Sequence, residues 1–100
     1  MSYRLIVDAG AEDDIDFAYR WYEARSRGLG TRFLDELESC FDRVILNPIS
    51  YPEVEAGIRR ALPHAFPYLV FYTVEGEALH VLAVIHAAQD AAYIAQRLGA

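Results

Sequence analysis

Residues 68–86 read YLVFYTVEGEALHVLAVIH, and the way this stretch pairs with itself decides the fold. Two runs rich in β-branched and aromatic residues, 68–74 and 78–86, flank Glu75-Gly76-Glu77. A compact turn there predicts an antiparallel hairpin. The second run is apolar on both parities, with Leu79, Val81, Ala83 and Ile85 on one side and Leu82 and Val84 on the other, shared with His80 and His86. A strand that is apolar on both faces belongs inside a sheet, away from its edge. The first run alternates in the same way: Phe66, Tyr68, Val70, Tyr72 and Val74 share one parity, and Leu69, Phe71 and Thr73 the other.

Outward from the hairpin, residues 58–62 (IRRAL) read as a further strand, preceded by a proline- and glycine-punctuated loop, PISYPEVEAG, at 48–57. Residues 3–7 (YRLIV) make a short first strand. Asp8 stands where it can cap the helix that follows, and Glu12, Asp13, Asp14 and Asp16 crowd a helix N-terminus that welcomes negative charge. Ile15, Ala18, Tyr19 and Tyr22 fall at i, i+3, i+4 and i+7, one helical stripe with Trp21 at its edge. Gly28 and Gly30 interrupt it. A second stripe runs through Phe33, Leu34, Leu37, Phe41, Val44 and Ile45, and Asn47-Pro48 ends it. The tail, AAQDAAYIAQRLGA, reads as a short C-terminal helix. The predicted class is α+β, in the order β-α-α-β-β-β: a helical hairpin on one face of a small, mainly antiparallel sheet, forming one domain over residues 1–100. A single hairpin covers only one face of the sheet. An aromatic face is therefore expected to stand wet until a partner covers it.

Composition narrows the partners. The chain has a net charge of −6, with nine basic residues that are all arginine. Residues 8–46 hold ten acids and five arginines, while residues 47–100 hold five acids and three arginines. That balance argues against direct binding to DNA by the chain alone, since affinity for a polyanion comes largely from Lys and Arg at phosphates. No run approaches the roughly 18 apolar residues of a membrane span. The lone Cys40 has no partner for an internal disulfide, and a reduced cytoplasmic setting is the expectation. No metal is expected, because three histidines and one distant cysteine match no ligand spacing. No other cofactor is expected either.

Three blocks carry a resemblance to a known family. AEDDIDFAYRWYEARSRGLGTRFLDELE has an acidic start, an aromatic Trp-Tyr pair and a glycine-linked second helix with Arg-Phe-Leu. LNPISYPEV follows as a proline loop. GIRRALPHAFPYLVFYTVEGEALHVLAVIHAAQD then supplies an Arg-Arg, Phe-Pro-Tyr, Val-Leu-Ala-Val and His succession. In this order and spacing they resemble the RelE/ParE superfamily of bacterial toxins, in particular the ParE-like branch also labelled plasmid stabilisation proteins. The chain departs from that pattern after His86, where Gln89, Asp90 and Ala91 replace the family's Arg-Asp-Pro or Arg-Asn-Pro. It is also acidic where family toxins are commonly basic.

The resemblance implies the toxin half of a type II toxin–antitoxin pair, blocked by a cognate antitoxin in a hetero-oligomer. ParE-like members poison DNA gyrase, a protein target, whereas RelE-like members cut mRNA on the ribosome. Both readings find residues here. Cleavage through a 2′-hydroxyl needs a base, a cation for the phosphate and an acid, which Arg59, Arg60, His86 and Tyr72 could supply. Adjacent strand residues point to opposite faces, however, so Arg59 and Arg60 do not line one site on a regular strand. His86 has a plainer role open to it as a backbone partner at the strand end. His80 reads as packing or rim, and His64 as a solvated turn residue. A protein-directed toxin would use Arg60, His86 and Arg97 on its target. It would present Phe66, Tyr68, Val70, Phe71 and Tyr72 to its antitoxin, with tyrosines burying area while keeping a polar tip.

Overall fold

The computed structural model describes residues 2–99. It contains β1 (Arg4–Val7), α1 (Ala9–Arg25), α2 (Leu29–Leu46), a 3-10 turn (Pro48–Ser50), β2 (Glu53–Glu55), β3 (Ile58–Ala61), β4 (Tyr68–Glu75), β5 (Ala78–His86) and α3 (Ala91–Arg97). The strands form one mixed sheet in the order β1-β5-β4-β3-β2. Strand β1 runs parallel to β5, and the other pairs are antiparallel. The α+β class, the helical hairpin and the short C-terminal helix are as expected. The segment read as an uninterrupted loop at 48–57 also contributes the edge strand β2, three exposed residues that pair irregularly with β3.

The helices pack where their stripes fall. From α2, Phe33, Leu37, Cys40 and Val44 are buried, and α1 gives the small residues Ala11 and Ala18, which let its backbone lie close to the sheet. Leu34, placed on the stripe by its spacing, is 37% exposed at the flank. The break between the helices is narrower than the two glycines implied. Gly28 turns the chain with φ of 86°, but Gly30 lies inside α2. A Cβ on Gly30 would sit 2.8 Å from the Tyr19 carbonyl oxygen and the Tyr19 ring, so the crossing of the two helices depends on that hydrogen. The Glu23 carboxylate accepts from the backbone N–H of Gly28 at 2.9 Å and of Gly30 at 3.0 Å. It thereby satisfies donors at the start of α2 that no intrahelical carbonyl reaches. Asp8 occupies the N-cap position of α1 without capping it; its carboxylate faces His80 Nδ1 at 3.2 Å instead.

One irregularity rearranges the central strand. The β4–β5 ladder steps from Phe71↔Ala83 to Tyr72↔Val81, which leaves Leu82 as an extra residue. A bulge flips every side chain beyond it to the other face. Leu79, Val81 and Val84 therefore join the core under the helices, while Ala83 and Ile85 turn to the opposite face. The parity that grouped Leu79, Val81, Ala83 and Ile85 is corrected accordingly. So is the expectation of a wet aromatic face. Phe66, Val70 and Tyr72 belong to the core beneath the helical hairpin. Across the sheet, Phe71, Ala83 and Ile85 are covered by Ile94 and Leu98 from the C-terminal segment, with Ile58 and Leu69 beside them. The short terminal helix does what the hairpin could not.

Candidate functional site

Strand β1 ends opposite Val81, where the Asp8 N–H still reaches the Val81 carbonyl at 3.0 Å. Beyond that point β5 has no neighbouring strand on this edge. Asp14, one turn into α1, takes over. One of its carboxylate oxygens accepts from the Val84 N–H at 3.0 Å, and the same carboxylate receives both terminal nitrogens of Arg97 at 2.8 and 2.7 Å. This side-by-side pairing fixes α3 against α1. Arg97 also donates to the Tyr93 hydroxyl at 2.9 Å. The hydrogen bonds to Asp14, and after them the one to Tyr93, hold its guanidinium above its ordinary pKa, against an opposing effect of burial that outweighs the Tyr93 contribution.

Between these elements opens a cleft of about 390 Å³ lined by Asp13, Phe17, Tyr68, His86, Gln89 and Tyr93, with the Asp14–Arg97 pair as one wall. His86 closes the strand end. Its Nδ1 accepts from the Ala88 N–H at 3.0 Å, the backbone role foreseen as one alternative, which leaves Nε2 as the hydrogen-bearing nitrogen. The Tyr68 ring meets His86 edge to face at 5.1 Å. Burial, then the neighbouring Tyr22, pushes the Tyr68 hydroxyl up to about 12. The site therefore combines an imidazole, aromatic rings, the Asp14–Arg97 pair and one carboxylate, Asp13, that makes no hydrogen bond or ion pair among the described residues.

The other residues singled out from sequence lie elsewhere. Arg59 pairs with Tyr72 in the β3–β4 ladder and Arg60 with Phe71, so the two point to opposite faces. Arg59 donates to the carbonyls of Tyr51 at 2.7 Å and Ile49 at 3.3 Å, and Glu53 lies 3.7 Å away. It fastens the loop between α2 and β3. Tyr72 does the same from beneath, its hydroxyl donating to the Pro48 carbonyl at 2.5 Å. Burial raises that hydroxyl to about 12, in spite of Arg59 nearby. Arg60 stands on the α3 side of the sheet, and its Nε is buried without a hydrogen-bond partner among the described residues.

The nuclease set of Arg59, Arg60, His86 and Tyr72 is thus dispersed: one clamp, one far-face cation, one strand end and one core residue. The antitoxin set changes too. Val70 and Tyr72 are fully covered by the chain itself, and Phe66 and Phe71 nearly so. Only half-buried Tyr68 has surface to offer. Of the target set, His86 and Arg97 meet at the cleft and Arg60 does not.

Sequence reasoning missed Asp14 and Phe17. In the sequence Asp14 is one of four acids that read as helix-terminal charge. Phe17 lies off the apolar stripe, and an aromatic there, among acids, was the one available signal; it is 72% exposed. Among the described residues no group of His, Cys, Asp and Glu gathers to hold a metal ion, and no helix is long and apolar enough to cross a membrane.

No curated protein matches the chain in sequence. A solved structure described as the chromosomal ParDE TA system from P. aeruginosa superposes with a TM-score of 0.75, covering 84% of this chain and 95% of that one at 15% identity; at that identity the likeness speaks for the fold. The family of the ParE toxin of type II toxin-antitoxin system, parDE, matches residues 5–91. The resemblance carried by the three sequence blocks, the mixed sheet under its helical hairpin and this match over most of the chain agree: the chain belongs to the ParE toxin family of type II toxin–antitoxin systems.

Proposed function

We propose that this ParE-family toxin acts in the cytoplasm by binding a protein target, DNA gyrase, and that its cognate antitoxin neutralises it by covering the helical hairpin. What supports a binding mode over RNA cleavage is the dispersal of the cationic and proton-transfer groups. Transition-state stabilisation needs such groups converging within hydrogen-bond reach of one reacting centre. Here Arg59 is bound to loop carbonyls, Arg97 to Asp14, and Arg60 faces away from His86 across the sheet.

For the antitoxin, a groove of about 380 Å³ lined by Val7, Ile15, Tyr19 and Leu34 between β1, α1 and α2 offers the apolar surface that the core aromatics do not. The target falls on the other side of α1, at the cleft with His86. Growth inhibition by induced protein tests the reading. His86→Ala, shown to be folded and to bind antitoxin, retains partial inhibition because an interface spreads its energy over several contacts, and Arg60→Ala, whose side chain lies across the sheet from the cleft, retains most of it. Near-complete loss with either variant, each folded, would overturn the binding mode.

A further inference from the structure

The acidity of this chain is unusual for the resemblance it bears, and the cleft gives it a use. Helix α1 has two working sides. Ile15 and Tyr19 turn to the groove with Leu34, while Phe17, 72% exposed, and Trp21, 46% exposed, form an aromatic stripe one helical turn long. Phe17 is also a wall of the cleft, so cleft and stripe form one continuous surface. Large exposed aromatics arranged this way mark an interaction site.

The charges facing the cleft select what enters it. Asp13 and Asp14 come from α1 and Arg97 from α3. Arg97 and Asp14 neutralise one another in their paired hydrogen bonds. His86 is tied to the backbone, its Nδ1 accepting from the Ala88 N–H. The uncompensated charge is Asp13. Three aromatic rings, Phe17, Tyr68 and Tyr93, line the same cleft, and aromatic faces attract a cation, as Arg97 beside the Tyr93 ring at 5.8 Å illustrates. Arg25, stacked 4.0 Å over Trp21, shows the same preference at the far end of the stripe.

Resting on the protein-binding reading above, we infer that the cleft takes an arginine or lysine side chain of the target protein. The carboxylate of Asp13 meets its charged head, the rings hold its stem, and Phe17 and Trp21 receive apolar residues flanking it. A volume of about 390 Å³ holds one such side chain with room to spare. A neutral or acidic segment would leave Asp13 desolvated without a partner, which is costly.

Two measurements test this. The first titrates the purified protein with N-acetyl-arginine amide and, separately, N-acetyl-leucine amide, following backbone amide shifts by NMR. The arginine derivative shifts the amides of Phe17, His86 and Gln89 with at least about tenfold higher affinity than the leucine derivative, and Asp13→Asn removes that preference. Equal affinities, or no shifts at the cleft, overturn the proposal. The second compares growth inhibition by wild type and by the Asp13→Arg/Phe17→Ser variant, whose two exposed sites leave the core untouched. Inhibition requires about tenfold more toxin in the variant, as loss of an anchoring contact does, while antitoxin binding is unchanged. Unchanged inhibition overturns the proposal, and so does lost antitoxin binding, which would identify the antitoxin as the occupant. Should the wild type fail to inhibit growth at all, the target reading fails, and the titration alone decides the chemistry of the cleft.

Discussion

Breaking the Asp14–Arg97 pair should loosen the C-terminal helix and expose the second face of the sheet. The pair is neither a surface ion pair nor a fully buried one, with side chains 14% and 23% exposed. Surface pairs contribute about 0–1 kcal/mol, and removing one partner of a buried pair costs about 3–5 kcal/mol. Two parallel charge-assisted hydrogen bonds at 2.8 and 2.7 Å place this pair between those limits. We expect Arg97→Gln to cost about 2 kcal/mol. Asp14→Ala should cost about 3 kcal/mol, because it also strips the Val84 N–H of its acceptor.

In a chain of this length each kcal/mol moves the melting temperature by about 4–8 °C, so Asp14→Ala melts more than about 10 °C lower. A double-mutant cycle of Asp14→Asn and Arg97→Gln, followed by denaturant unfolding, isolates the pairwise energy. The predicted coupling is about 1.5 kcal/mol. In the single variants, amide protection at Phe71 and Ile85 falls, since Ile94 and Leu98 no longer cover them. A coupling below about 0.5 kcal/mol, the level at which independent sites add, would show that α3 is held by apolar contact alone.

Three further outcomes follow from the geometry. Tyr68 and Tyr72 have hydroxyl pKa values raised to about 12 by burial; above pH 10 the unfolded state loses these protons first, so stability is fully present below pH 10 and falls as pH rises from 10 to 12. The limiting slope is about 1.4 kcal/mol per pH unit for each tyrosine, and a pH series of unfolding curves that stays flat over this range would contradict the assignment. Gly30→Ala forces apart α1 and α2 at the Tyr19 contact and costs about 1–3 kcal/mol in a thermal melt, whereas Gly→Ala in an open helix interior stabilises. Tyr68→Ala destabilises the fold by more than His86→Ala, since one truncates a packed aromatic and the other removes about one hydrogen bond worth about 1 kcal/mol; melts in the reverse order would make His86 the keystone of the strand end.

The order of elements, apart from the edge strand β2, was legible because hydrophobic periodicity and turn residues are local signals. The helix stripes, the Glu75-Gly76-Glu77 turn and the stop at Asn47-Pro48 each act within a few residues. The bulge at Leu82 was not legible, because an extra residue in a strand is defined by its partner, and alternation alone cannot reveal it. That single residue moved Ala83 and Ile85 across the sheet and undid the face assignment. The cover over the second face was missed for a related reason. Ile94 lies in a seven-residue helix and Leu98 caps its end, and nothing in so short a segment says which surface they will meet. Of the candidate cleft, His86 and Arg97 stand out in the sequence and both line it, whereas Asp14 joins them only through a contact 83 positions away in sequence. Gly30 misled in the opposite direction, read as a breaker where the helix needs its missing Cβ.

The claim that this toxin binds a protein target is tested most directly by adding purified protein to two reconstituted systems. One is DNA gyrase with supercoiled plasmid and ATP, and the other is ribosomes translating a defined mRNA. Gyrase is expected to accumulate cleaved plasmid in proportion to added protein, with antitoxin suppressing this, while the mRNA stays intact. Cleavage of the mRNA on ribosomes with gyrase unaffected, abolished by His86→Ala in a folded protein, would contradict that claim.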